Sequence, residues 1–165
     1  MPILSNTLAW YKNLKPLPFV LFTTVFSLLA TMPLAILIQV TGTSQQSIGG
    51  PGLAKMGWAQ AILLAVVIAP LIETWLGQAL PIRFVQWINP VHTGRHAMLI
   101  SSILFSLAHL SYSWWYVLLV WPTGLALAAT YWLWRQRMPG GFWMAFFVHA
   151  LRNLLSVVVA MAAVN

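Results

Sequence analysis

Residues 58–80 read WAQAILLAVVIAPLIETWLGQAL, and this stretch decides the fold. Its length and apolar character are typical of a helix that crosses a membrane, which takes about 20 residues. The stretch also contains Glu73, the only acidic residue among the 165 of the chain. An ionisable side chain is costly inside a membrane unless it is sheltered and partnered, so Glu73 indicates a functional site.

The composition of the whole chain is that of a membrane protein. Apolar residues make up 61% of it and charged residues 5%, the mean hydropathy is +0.84, and there are ten tryptophans. A soluble domain would not expose so much apolar surface. Further stretches of spanning length lie at 17–40, 114–134 and 142–164, and a shorter one lies at 97–112. We predict an all-α, polytopic membrane bundle of about five transmembrane helices.

The basic residues predict how this bundle is oriented, because Lys and Arg collect in cytoplasmic loops. If the loops alternate sides, one side receives nearly all of them, namely Lys12, Lys15, Arg83, Arg95, Arg135 and Arg137. The opposite side receives Lys55 in the loop 41–56. We therefore expect a cytoplasmic amino terminus and an external carboxyl terminus, in a prokaryotic inner membrane. The net charge of +7 follows from this rule and from contact with lipid headgroups, and it does not indicate nucleic-acid binding.

Polar side chains converge at one depth in the predicted bundle. Counted along each helix from its cytoplasmic end, four of them lie roughly 11 to 18 Å deep: Glu73, His109, His149 and Asn153. His149 and Asn153 are four residues apart and share a helix face, as do Phe105 and His109. Helices two, three and five are therefore expected to form one site. The alternative is a set of hydrogen bonds that only hold helices together.

Three short motifs in these helices resemble those of a known family. They are APLIETWLGQ at 69–78, FSLAH at 105–109 and HALRN at 149–153. In order and spacing they resemble EExxxR, FxxxH and HxxxN of the CPBP family of intramembrane proteases, which includes the CAAX endopeptidases. The resemblance implies a glutamic-type intramembrane endopeptidase that needs no metal or other cofactor.

The resemblance also implies a division of the chain, which we expect to be a single membrane domain. Its catalytic core is 57–165, preceded by an interfacial segment at 1–16 and by a peripheral first helix with its external loop at 17–56. Helix four is expected to close the site. The charge bias predicts a cavity that is open to the cytoplasmic half of the bundle.

The first motif departs from the family pattern. Only Glu73 matches it, because Thr74 stands in place of the second Glu and Gln78 in place of the Arg. We count both as supporting residues, together with Phe105 and Arg152. Since Arg152 is the one cation within the predicted spans, we expect it to pair with Glu73 in place of the missing Arg.

The four polar groups of the motifs can divide the work of peptide hydrolysis. Glu73 and His109 are assigned to the activation of a water molecule, as a general base and its neighbour. His149 and Asn153 are assigned to hydrogen bonds that stabilise the oxyanion formed at the peptide carbonyl. The expected partners are lipids and a peptide or membrane-protein substrate, whose identity the sequence does not give.

Two other functions use the same residues. Two histidines and one glutamate with an open fourth position also describe a catalytic zinc site, although no HExxH motif occurs and an Asn amide is an unusual zinc ligand. The altered first motif favours a second alternative, a non-catalytic membrane binding or immunity-type protein. Sequence leaves both open.

Overall fold

The structure is a computed structural model that describes residues 9–88 and 93–162, and within these ranges it contains helices and turns but no strand. Five long helices follow one another: α1 (Pro16–Val40), α2 (Trp58–Ile88), α3 (Thr93–Leu107), α4 (Trp114–Trp134) and α5 (Gly141–Ala162). Shorter helical turns lie at residues 9–13, at Gln45–Ile48 and at Leu53–Lys55. In the described part, α1, α2, α4 and α5 are long and apolar enough to cross a membrane. The predicted all-α membrane bundle is confirmed.

Helix α4 is the centre of the bundle, because α1, α3 and α5 all pack against it. At the end of the bundle that carries residues 135–140, the rings of Phe19 and Trp134 meet edge to face with centroids 5.3 Å apart. Met144 of α5 belongs to the same buried cluster. The outward faces carry exposed apolar side chains such as Leu37 and Val159, which suits contact with lipid.

Helix α2 is irregular, and its first irregularity frees a backbone carbonyl. Over Ile62–Ile68 it is a π-helix, and Ala69 N donates to Leu64 O, five residues back. The next donor in this register would be Pro70, which has no N–H. The carbonyl oxygen of Ala65 is therefore available to another helix.

A second π-helical stretch in α2 is Trp75–Ala79, where Leu80 N donates to Trp75 O, five residues back. Within this stretch the carbonyl oxygen of Gly77 accepts from the hydroxyl of Ser101 on α3, over 2.6 Å. Helices α2 and α3 are thus joined through a backbone carbonyl of the π-helical stretch.

The prediction of a helix over 97–112 is wrong at both ends, because α3 runs from Thr93 to Leu107. Beyond it, the ring Nδ1 of His109 lies 2.8 Å from the carbonyl oxygen of Phe105, which can only accept, so Nδ1 donates. In a continued helix that carbonyl would accept from the backbone N–H of His109, which instead donates to Ser106 O over 3.0 Å. His109 therefore lies in a turn beyond the end of α3.

Candidate active site

A cavity of about 820 Å³ lies inside the bundle, at the end that carries the loop between α1 and α2. Its walls come from residues 46–56 of that loop, from α2, from the end of α3 and the turn beyond it, and from α4 and α5. The expected opening toward the basic end is wrong. Space exists at this end because α3 stops at Leu107, whereas the basic end is filled by Phe19, Trp134 and Met144.

Glu73 faces this cavity from the middle of α2. Its Oε2 atom lies 3.4 Å from Nε2 of His149 and 3.7 Å from Nε2 of His109. The Glu73 side chain is 32% exposed, whereas that of His149 is 4% exposed. The carboxylate is therefore open to the cavity, and the imidazole of His149 is buried beside it. The structure thus brings together the three ionisable groups of the predicted site.

The hydrogen bond of His109 determines which of its two ring nitrogens carries the proton, and so whether the nitrogen nearest Glu73 is a donor or an acceptor. Because Nδ1 donates to Phe105 O, Nε2 of the neutral ring carries no proton. A carboxylate oxygen and a bare imidazole nitrogen are both acceptors and cannot bond directly. A water molecule beside the two could donate one hydrogen to each of them.

Asn153 stands one helical turn after His149 and reaches across to α2. Its Nδ2 atom donates to Ala65 O over 2.8 Å, the carbonyl that Pro70 leaves free. An amide nitrogen has two hydrogens, so one remains for a second acceptor. Asn153 lines the cavity and also ties α5 to the helix that carries Glu73.

The chain matches the Rce1-like family, described as type II CAAX prenyl endopeptidase Rce1-like, over residues 55–155. The chain belongs to the Rce1-like family. This is a family of membrane proteases, and the predicted family of the chain is confirmed. No curated protein and no solved structure matches the chain.

The ring of Phe105 packs against both histidines of the site. Its ring centroid lies 5.0 Å from that of His109 and 5.6 Å from that of His149. The ring is clamped between α2 and α4, because a Cβ atom at Gly77 or at Gly124 would lie 2.9 Å from it. Glycine at these two positions lets the helices approach the ring closely enough to fix its position.

Two supporting residues of the first motif do not reach the cavity. Thr74 and Gln78 are both fully buried, and neither lines the cavity wall. The one hydroxyl hydrogen of Ser101 on α3 is shared between Gly77 O and the Oε1 atom of Gln78, which lies 2.5 Å from Ser101 Oγ. Gln78 therefore joins α2 to α3, whereas Glu73 lines the cavity.

Arg152 lines the cavity but does not form the expected ion pair with Glu73. Among the described residues, the basic groups within 4.0 Å of the carboxylate belong to His109 and His149. One terminal nitrogen of Arg152 instead donates to Thr31 Oγ1 on α1, over 3.4 Å. The sequence missed this partner because α1 lies outside the family motifs.

The sequence analysis also missed two tyrosines and a loop. Tyr116 on α4 lines the cavity with its ring 5.7 Å from that of His109, and the ring of Tyr112 lies 4.9 Å from that of Tyr116. The loop is held beside them by Ser113 Oγ, which donates to Ile48 O over 2.6 Å. The aromatic residues that follow FSLAH were the available signal.

The zinc alternative needs donors that converge on one point. Across residues 9–88 and 93–162, no group of three His, Cys, Asp or Glu side chains is arranged to hold a metal ion. The amide nitrogen of Asn153 is directed to a carbonyl oxygen.

Proposed function

We propose that this Rce1-like chain is a glutamic-type intramembrane endopeptidase, in which Glu73 and His109 activate a water molecule that attacks a peptide bond. The observation that carries the proposal is the position of Glu73 Oε2, exposed to a cavity and 3.7 Å from the unprotonated nitrogen of His109. A water molecule between two such acceptors is held with its oxygen lone pairs free.

Hydrolysis then proceeds with a balanced transfer of protons. Glu73 takes a proton from the water as its oxygen bonds to the peptide carbonyl carbon, while His109 accepts a hydrogen bond from the remaining O–H. The oxyanion so formed accepts hydrogen bonds from His149 and from the second amide hydrogen of Asn153. When the carbon–nitrogen bond breaks, Glu73 returns its proton to the leaving nitrogen. The products are a carboxylic acid and an amine.

The proposed substrate is a peptide segment or the end of another membrane protein. The proposed location is a prokaryotic inner membrane, with the amino terminus cytoplasmic and the cavity opening toward the external face. Support for the orientation comes from the charge bias of the loops. Reporters fused to each terminus test it, because only a reporter on the cytoplasmic side is protected from an external protease in intact cells.

The test of catalysis compares newly formed protein termini, by mass spectrometry, in membranes that carry the native chain or Glu73→Gln at equal abundance. Gln60→Ala, a change at an exposed position of α2, is the matched control. We expect cleavages that appear with the native chain and with Gln60→Ala and are lost with Glu73→Gln. Identical profiles in all three would instead favour a non-catalytic binding or immunity-type protein.

A further inference from the structure

Arg152 leaves part of its hydrogen-bonding capacity unused inside the bundle. Its Nε atom is buried and has no hydrogen-bond partner. One of its terminal nitrogens donates to Thr31 Oγ1 over a long distance of 3.4 Å. A guanidinium has five hydrogens to donate, and a hydroxyl carries no compensating charge. A cation held this way among apolar helices is costly unless an anion joins it.

The chain cannot supply that anion from its own side chains. Glu73 is its only acidic residue, and the Glu73 carboxylate lies against His109 and His149. Lys55 also lines the cavity, so the walls carry two fixed cations and one carboxylate. The cavity as built therefore favours an occupant that brings negative charge.

The depth of Arg152 decides what kind of anion this is. Arg152 lies about 15 Å along α5 from the helix end at Ala162, at about 1.5 Å per residue. Lipid phosphates lie at the membrane surface, well away from this depth. An extended peptide inside the cavity, by contrast, passes the Arg152 side chain, which lies one helical turn after His149.

We propose that Arg152 binds a carboxylate of the substrate peptide and so selects peptides that carry one close to the bond to be cut. The inference rests on the proposed function and names its substrate class. The carboxylate is either the carboxyl terminus of the peptide or an Asp or Glu side chain. Arg is suited to this because its planar fork can hold both carboxylate oxygens at once.

The experiment uses the full chain in nanodiscs of neutral phosphatidylcholine and mixtures of randomised ten-residue peptides. One mixture has free carboxyl termini and no Asp or Glu, a second has amidated termini and no Asp or Glu, and a third has amidated termini and one Asp or Glu. Binding is measured on Glu73→Gln, and cleavage is measured on the native chain. Arg152→Gln and Arg152→Lys are compared with Arg95→Gln, which alters an exposed position near the start of α3.

We expect at least one acidic mixture to be bound and cleaved about tenfold better than the neutral one, the ratio typical of a charge-assisted hydrogen bond. Which acidic mixture is preferred identifies the source of the carboxylate. Arg152→Gln should abolish the preference, Arg152→Lys should keep part of it, and Arg95→Gln should keep all of it.

Two results would overturn the inference. They are equal treatment of all mixtures by the native chain, and an unchanged preference in Arg152→Gln. Failure of the proposed function looks different, since acidic peptides would then be bound preferentially by Glu73→Gln but never cut by the native chain. Cleavage without any preference would leave the proposed function intact and remove only this inference.

Discussion

Asn153 and Ala65 join α5 to α2 through a single hydrogen bond of 2.8 Å from the side-chain amide to the backbone carbonyl. The bond exists because Pro70 has no N–H to offer that carbonyl in the π-helical register. Asn153 thereby sets the position of His149, one turn earlier, relative to Glu73. Asn153, which is assigned to stabilisation of the oxyanion, therefore also holds α5 against α2.

The link between Asn153 and Ala65 is tested by a double-mutant cycle. Asn153→Ala should lower the free energy of unfolding by about 1 kcal/mol, the net value of one such bond. In Pro70→Ala a backbone N–H becomes available to the carbonyl, so the cost of Asn153→Ala should fall. Thermal unfolding in detergent measures the cost of Asn153→Ala in the native chain and in Pro70→Ala. An equal cost in the two would contradict the view that Asn153 replaces the donor that Pro70 lacks.

Removal of either member of the water-activating pair should abolish most of the activity. Glu73→Gln and His109→Ala are each expected to lower the cleavage rate by at least about a hundredfold, as for a lost general base. The double variant should be no slower than either single one, because the two groups act on one water molecule. His96→Ala, a change at an exposed position on α3, is the matched control. Additive losses would show that the pair does not act as a unit.

The clamp around Phe105 should not tolerate a methyl group. Gly124→Ala or Gly77→Ala places a Cβ atom 2.9 Å from the ring and should destabilise the fold by about 1–3 kcal/mol, as overpacking does. Gly57→Ala is the control, because a Cβ atom there meets nothing within 4 Å. Phe105→Leu should restore part of the loss in melting temperature, and a failure to do so would place the strain elsewhere.

The bond between Ser101 and Gln78 should matter for stability, because both side chains are fully buried. Ser101→Ala leaves the Gln78 carbonyl oxygen without a donor and should cost about 1–3 kcal/mol. The combination with Gln78→Leu should cost less than the sum of the two single changes. Ser44→Ala removes two hydrogen bonds at an exposed site, with Ser47 Oγ and from Ser47 N, and should have a smaller effect on the melting temperature because water can replace both.

Metal removal should leave the activity unchanged. The proposed chemistry needs only the carboxylate of Glu73 and the side chains around it, so dialysis against a chelator should not slow cleavage of a cognate peptide. Elemental analysis of the purified protein should find no stoichiometric zinc. Loss of activity on chelation, followed by recovery with zinc alone, would favour the metalloprotease alternative.

Much of the site could be placed from sequence because helix geometry is regular. The spacing of His149 and Asn153 puts them on one face, and residue counts give depth along each helix axis. The expectation that Glu73, His109 and His149 approach one another rests on these counts and on the family motifs, and it did not include the turn that holds His109 beyond the end of α3. Composition in turn defined the membrane bundle, because the cost of exposing apolar residues to water depends little on how the helices are arranged.

The sequence by itself thus determined the fold class and the family to which the chain belongs. Tertiary structure alone decided that Arg152 bonds to Thr31, that α3 ends before His109, and that the cavity lies beside the loop between α1 and α2. These features depend on how the helices pack against one another. They also depend on backbone carbonyls, such as that of Ala65, that accept hydrogen bonds from side chains distant in the sequence. Helical periodicity fixes the direction of a side chain from its own axis, but its partner is set by packing between axes.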